Sequence, residues 1–174
     1  MHADLFHLET VEDQLTGLDA CFYSLGVSAV GLSEAEYARV NYDMTVAVAE
    51  TLARLNPSMT FVYVSGRGTD STERGRVMWA RVKGRTENAL LRLPFKAAYM
   101  VRAGVIVPMH GIRSKTPLYR FFYTLLTPVL PALRTLFPQA IITTEELARL
   151  MIRLARSGHP KHVLETADLA ALSR

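Results

Sequence analysis

The chain has 174 residues, 49% of them hydrophobic, enough for one globular domain with a buried core. Its 20 basic and 16 acidic residues leave a net charge of +4. The basic residues are scattered, and the densest stretches (74–85 and 113–120) are broken by acidic or apolar residues. That pattern excludes a nucleic-acid stripe and suits an anionic small ligand. The single cysteine, Cys21, excludes an internal disulfide and reads as core packing in a reducing, cytoplasmic compartment. The five histidines are dispersed without metal-ligand spacing, so no metal site is expected. The amino terminus lacks the basic, apolar, small-residue order of a secretory leader.

Thr10 followed by Glu12 and Asp13 predicts an N-capped helix that ends near Gly17. Residues 19–25 are apolar throughout and predict a strand buried on both faces. A small-residue loop, Val27-Ser28-Ala29-Val30-Gly31, follows. Ser33-Glu34-Ala35-Glu36 is a capping box that opens a helix to about Leu55. Tyr37, Val40, Met44, Val48, Leu52 and Leu55 share its apolar face. Asn41 lies on that face beside Val40 and Met44, where burial demands a hydrogen-bond partner in neighbouring backbone.

After Asn56-Pro57 stops the helix, Phe61-Val62-Tyr63-Val64 predicts a buried strand. Ser65, Gly66 and Gly68 turn it into a loop, and the next helix carries Trp79 and Lys83 one turn apart. A hydroxyl at a strand's carboxyl end opposite a helical lysine is how open α/β sheets build nucleotide sites. The plainer alternative is a surface loop and a solvated lysine. Residues 96–102 give a further strand leading into Ala103-Gly104-Val105. Strands alternating with helices predict an α/β fold with a parallel sheet and right-handed crossovers.

Residues 117–138 are rich in Leu, Phe and Tyr yet contain Arg120, Arg134, Pro128 and Pro131, which argues against a membrane span. Three readings stand: a kinked helical pair over a substrate cleft, a dimer contact, or an amphipathic element touching a membrane surface. Thr143-Thr144-Glu145-Glu146 caps a helix to about Arg156, with Leu147, Leu150, Met151, Leu154 and Ala155 on one face. Gly158-His159-Pro160 ends it. Residues 163–165 predict a last short strand, and 167–172 a final helical turn.

In this order the elements resemble the short-chain dehydrogenase/reductase superfamily, in its atypical and extended, epimerase/dehydratase-like branches. Residues 17–26 stand at the family's fourth strand, and Asn41-Tyr42-Asp43-Met44-Thr45 at the asparagine-bearing segment of the next helix. Phe61-Val62-Tyr63-Val64-Ser65 is similar to the fifth strand with its serine. Trp79-Ala80-Arg81-Val82-Lys83-Gly84 stands at the Tyr-x-x-x-Lys helix, and Arg102-Ala103-Gly104-Val105 at the Arg-Pro-Gly turn after the sixth strand.

The resemblance implies a partial Rossmann-like fold, a doubly wound parallel sheet with flanking helices. Residues 1–112 form the dinucleotide-binding core, and 113–174 a substrate-side region packed on the same domain. It implies NAD or NADP as cofactor, an unidentified small-molecule substrate and a homo-oligomer. The cofactor-binding residues it implies are Leu25, Gly26, Ser65, Lys83, Arg102, Gly104 and Val105. The catalytic positions are Ser65, Lys83 and Trp79, with Thr69 and Ser71 as lesser candidates.

The departures are specific. No Gly-x-Gly-x-x-Gly or Gly-Ala-x-Gly-x-x-Gly follows a strand, so the first β-α-β unit and its phosphate-binding turn are missing. The expectations are an amino-terminally truncated product or a start codon assigned downstream of the true one, an apolar edge on the strand at 19–25, and cofactor binding that is weak or absent. Trp79 occupies the tyrosine position, and an indole N–H donates but does not exchange a proton near neutral pH. Tyr63, Tyr99, Tyr119 and Tyr123 are the tyrosines left to replace it. Ala103 stands for the usual proline, which loosens a turn without removing chemistry. Three functions follow: an NAD(P)-dependent oxidoreductase or epimerase, a non-catalytic dinucleotide-binding or redox-sensing regulator, or an interaction module docking through 117–138.

Overall fold

The computed structural model of the chain describes residues 4–109 and 140–173. A 3-10 helix, Glu9–Leu15, precedes strand β1 (Ala20–Tyr23). The chain then passes through α1 (Glu34–Ala38), a π-helical turn at Arg39–Asp43, and α2 (Met44–Leu55). Next come β2 (Thr60–Gly66), α3 (Met78–Arg92), β3 (Ala97–Ala103) and β4 (Val105–Val107). Beyond residue 140 lie β5 (Ile141–Thr143), α4 (Thr144–Ser157), β6 (Val163–Leu164) and α5 (Thr166–Leu172).

Strands β1, β2, β3 and β6 pair in that order, each pair parallel, and β4 and β5 form a separate parallel pair. Parallel neighbours need crossovers, which α2 and α3 supply between β1, β2 and β3. Period-two alternation divides the sheet between two cores. Phe61, Tyr63, Ala98 and Met100 pack with Val48, Leu52 and Leu90 on the α2–α3 side. Val62, Tyr99, Val101 and Ala103 pack with Leu150, Leu154 and Leu169 of α4 and α5 on the other. Each large side chain so buried contributes about 1.5–3 kcal/mol. The fold is thus the α/β class expected: a parallel sheet flanked on both faces by helices, in a partial Rossmann-like arrangement.

Several local expectations are corrected. Residues 19–25 form a strand only over Ala20–Tyr23, and it is not buried on both faces: Tyr23 is 7% exposed but Phe22 is 46%. Helices α4 and α5 pack over β2, β3 and β6, so the second face of β1 lacks their cover. Among the described residues β1 is an open, apolar edge. Thr10 caps nothing: the first helix is 3-10, opens after Leu8 and has no side-chain cap. Residues three apart eclipse in that geometry, and Leu8 and Val11 enter the core together.

The buried face of the long helix also shifts. Asn41 is buried as expected and Thr45 joins it, whereas Val40 and Met44 are only half-buried, because the π turn rotates the helix face. The β4–β5 pair was not foreseen. It brings Ala140 so close that a Cβ on Gly104 would lie 2.3 Å from its carbonyl oxygen, which Val105 N–H bonds at 2.9 Å. Residues 117–138, with Tyr119 and Tyr123 and the boundary set at 112, lie outside the described residues. No described helix is long and apolar enough to cross a membrane.

The α4 cap is reciprocal: Thr143 Oγ1 accepts from Glu146 N–H at 3.1 Å, and the Glu146 carboxylate accepts from Thr143 N–H at 2.8 Å. Thr143→Ala is expected to lower unfolding free energy by about 1 kcal/mol in urea titrations. Thr10→Ala, which removes no cap, is expected to change it by less than about 0.5 kcal/mol.

Candidate functional site

The same alternation that builds the core places Tyr63, Ser65 and Arg102 on the α3 side of the sheet, with Ser65 and Arg102 in register. Helix α3 answers with Trp79, Lys83 and Glu87, four residues apart on one face. Lys83 Nζ donates to Tyr63 OH at 3.1 Å and lies 5.0 Å from that ring's centroid. Arg102 Nε reaches both Glu87 oxygens at 3.1 Å and its Nη2 reaches Oε2 at 2.5 Å. Its Nη1 donates to Glu165 at 2.7 Å, and Nη2 also reaches Ser71 Oγ. Trp79 lies over the turn after β2: Cβ atoms built on Gly66 and Gly68 would fall 3.7 and 3.6 Å from its ring. Lys83 Cδ borders the same point on Gly66 at 4.0 Å.

Ser65 Oγ lies 3.0 Å from Thr69 Oγ1, whose proton goes to Gly66 O at 2.7 Å. Ser65 is therefore the donor of that pair and retains only acceptor capacity. The rest of the loop between β2 and α3 is tied down through Asp70. Its carboxylate accepts from Thr72 N–H and Oγ1, from Arg74 N–H and from Gly75 N–H at 2.6 to 3.1 Å. Its own N–H donates to Ala80 O at 3.0 Å. A Cβ on Gly84 would fall 1.8 Å from Asp70 O, so helix and loop touch backbone to backbone. Asn88 Nδ2 holds Ser71 O at 3.0 Å and Glu73 Oε1 at 2.7 Å.

Burial lowers the Lys83 ammonium to about 8 from 10.5, with Glu87 opposing the shift in part. Burial also pushes the Tyr63 phenol well above its ordinary range, reinforced by Tyr37, Glu87 and Tyr23. Tyr63 is the described tyrosine bonded to Lys83, but it is fully buried and held protonated. Tyr99 lies on the opposite face, accepts from His159 N–H at 2.9 Å and stacks on His162. Burial pushes the Cys21 thiol up to about 11, which keeps it protonated.

Because the strands are parallel, Leu25 and Gly26 after β1, Ser65 in β2, and Gly104 and Val105 after β3 share the carboxyl edge of the sheet. Leu25 and Val105 are exposed. Gly26 faces Asn41, whose Oδ1 would lie 2.7 Å from a Cβ there. Asn41 Nδ2 donates back to Tyr37 O at 3.1 Å, within its own helix, while its Oδ1 has no hydrogen-bond partner among the described residues. The tie to α3 is made instead by the Asn41 backbone carbonyl, which accepts from the Thr86 side-chain hydroxyl at 3.0 Å. No group of three or more metal-ligating side chains occurs among the described residues.

Sequence reasoning missed Glu87, Asp70 and the Gly84 contact. One signal was present: Lys83 and Glu87 share a helical stripe with Leu90, so two charges ran along an apolar face.

No family model and no curated protein matches the chain. Among solved structures it is similar to UDP-N-acetylglucosamine 4-epimerase from Bacillus cereus, with a TM-score of 0.63 and 15% identity. The match covers 95% of this chain and 67% of that one. At that identity the likeness is one of fold.

Two measurements test the seam. Glu87→Ala leaves Arg102 buried without its main partner and is expected to cost about 3–5 kcal/mol. Arg149→Ala, which breaks an exposed pair with Glu145, is expected to cost under about 0.5 kcal/mol. Below pH 8 the Lys83 ammonium persists folded and unfolded, so its burial penalty is constant. Between pH 8 and 10.5 the unfolded state alone keeps the proton, and the folded state gains. Relative to Lys83→Met, the wild-type chain is therefore expected to gain about 1–3 kcal/mol from pH 7 to 10 in urea unfolding.

Proposed function

We propose that this chain is an NAD(P)-dependent oxidoreductase- or epimerase-like protein of the short-chain dehydrogenase type. The observation that carries the reading is Lys83 and Trp79 flanking Gly66 at the carboxyl end of β2. Among the described residues only Tyr63 accepts from the Lys83 ammonium, which leaves further donors for the hydroxyls of a ribose. Leu25 and Val105, exposed past the ends of β1 and β3, offer apolar walls to a flat ligand, whereas the Cβ sides of Gly26 and Gly104 are filled by Asn41 Oδ1 and Ala140 O. Arg102 does not fit a cofactor contact, since Glu87, Glu165 and Ser71 occupy its guanidinium. Its part is to hold the end of β3 against α3. A bound nicotinamide supplies hydride transfer, and the protein supplies orientation and electrostatics. Within this reading Lys83 is the group that titrates near neutrality, and Ser65 accepts a hydrogen bond from the substrate.

A second reading, a non-catalytic dinucleotide-binding or redox-sensing regulator, is favoured by Trp79 itself. An indole in the tyrosine position gives a stacking wall without a proton shuttle.

The chain has one tryptophan, so Trp79 emission reports on ligand beside it. Titration with NADH and NADPH is expected to give saturable quenching with Kd above about 0.1 mM, since no glycine-rich turn presents N–H groups to the pyrophosphate. Lys83→Ala is expected to weaken binding about tenfold. Absence of saturable quenching at millimolar dinucleotide sinks the proposal. Turnover on a carbonyl panel supports the enzyme, and binding without turnover the regulator.

A further inference from the structure

The described arginines divide by occupation. Arg54, Arg81, Arg102 and Arg149 are paired with carboxylates. Arg39 and Arg85 lie over the rings of Phe6 and Tyr42, and Arg153 donates to Leu172 O. Arg92 and Arg156 sit in the last turns of α3 and α4, where a cation complements the helix dipole. Three remain: Arg67, Arg74 and Arg76. All are exposed, their guanidinium groups have no partner among the described residues, and all belong to the loop at 67–77 that leads into α3 and Trp79.

That loop holds its arginines in place without neutralising them. Arg67 N–H is bonded to Ala103 O at 2.8 Å, and Arg74 N–H to Asp70. Gly75, between Arg74 and Arg76, is fixed at both ends: its N–H by Asp70 at 2.6 Å, its carbonyl by the Arg81 guanidinium at 2.7 Å. The loop's two carboxylates face elsewhere, Asp70 toward loop N–H groups and Glu73 toward Asn88. Glu73 even takes a positive φ of 61°, uncommon for a residue other than glycine. Three guanidinium groups without a partner among the described residues leave net positive charge on a segment of fixed backbone, which favours an anion there.

We propose that Arg67, Arg74 and Arg76 form a phosphoanion-binding site, taking a phosphate ester or diphosphate whose attached ring or apolar group rests on Trp79. Guanidinium forks match phosphate oxygens bidentately, and the half-buried indole beside Gly66 and Gly68 provides the adjoining flat surface. This goes beyond the dinucleotide reading and does not require it. The anion belongs either to a phosphorylated substrate or to the dinucleotide itself.

Pyrophosphate is the probe, titrated at constant ionic strength against the full chain, with Trp79 emission and dialysis of radiolabelled pyrophosphate as readouts. Saturable binding is expected. The double variant Arg74→Gln/Arg76→Gln is expected to weaken it at least about tenfold, and Arg156→Gln to leave it unchanged. Since the substituted side chains are exposed, thermal melts by circular dichroism should coincide with wild type. Repetition with NADH distinguishes the sources: unchanged pyrophosphate affinity assigns the site to a separate substrate, and competition assigns it to the dinucleotide. Either result upholds the phosphoanion site, and the pyrophosphate arm reads the same if NADH does not bind. Absent saturation, or equal affinity in the double variant, overturns it.

Discussion

The contact on which this architecture depends is the buried ion pair between Glu87 of α3 and Arg102 of β3. Glu87 is 1% exposed, and the guanidinium meets both its oxygens. Removing two charges from water costs several kcal/mol each, which their attraction offsets only when every remaining polar atom finds a partner. Arg102 meets that condition by reaching Glu165 ahead of α5 and Ser71 in the loop before α3. One side chain thus joins a strand, the crossing helix, the last helix and the loop. An apolar pair of similar volume would fill the space without fixing their mutual register.

Lys83 owes its character to the same helix. It lies one turn before Glu87, which supports its charge, yet burial outweighs that support and the ammonium is lowered. Tyr63 shares the burial and moves the opposite way for an acid, remaining protonated. The pair therefore separates two titrations that would overlap in water. A lysine poised near neutrality beside a phenol that does not ionise can give up or accept charge without the phenol following.

Much of the fold was legible in residues because local signals and tertiary packing agree. The buried runs at β2 and β3, the two capping boxes at Ser33 and Thr143, and the placing of Trp79 and Lys83 on one face all follow from period and cap chemistry. Illegibility began where partners distant in sequence decide. The π turn turns Asn41 and Thr45 inward because Gly26 and Tyr23 await them across the helix–strand contact. Arg102 looked available for a ligand, since nothing local announces that Glu87, 15 residues earlier, and Glu165, 63 later, would occupy it. The loop at 67–77 looked loose from its small and polar residues, whereas Asp70 organises it through four donors that a linear reading does not rank.

The backbone contact between Gly84 and Asp70 has a kinetic consequence. With no side chain between them, the loop cannot lift from α3 without breaking the Asp70–Ala80 hydrogen bond and opening a gap along the helix. Lifting of this loop therefore requires that bond to break, whereas side-chain rotations, which take picoseconds to nanoseconds, require no such rupture.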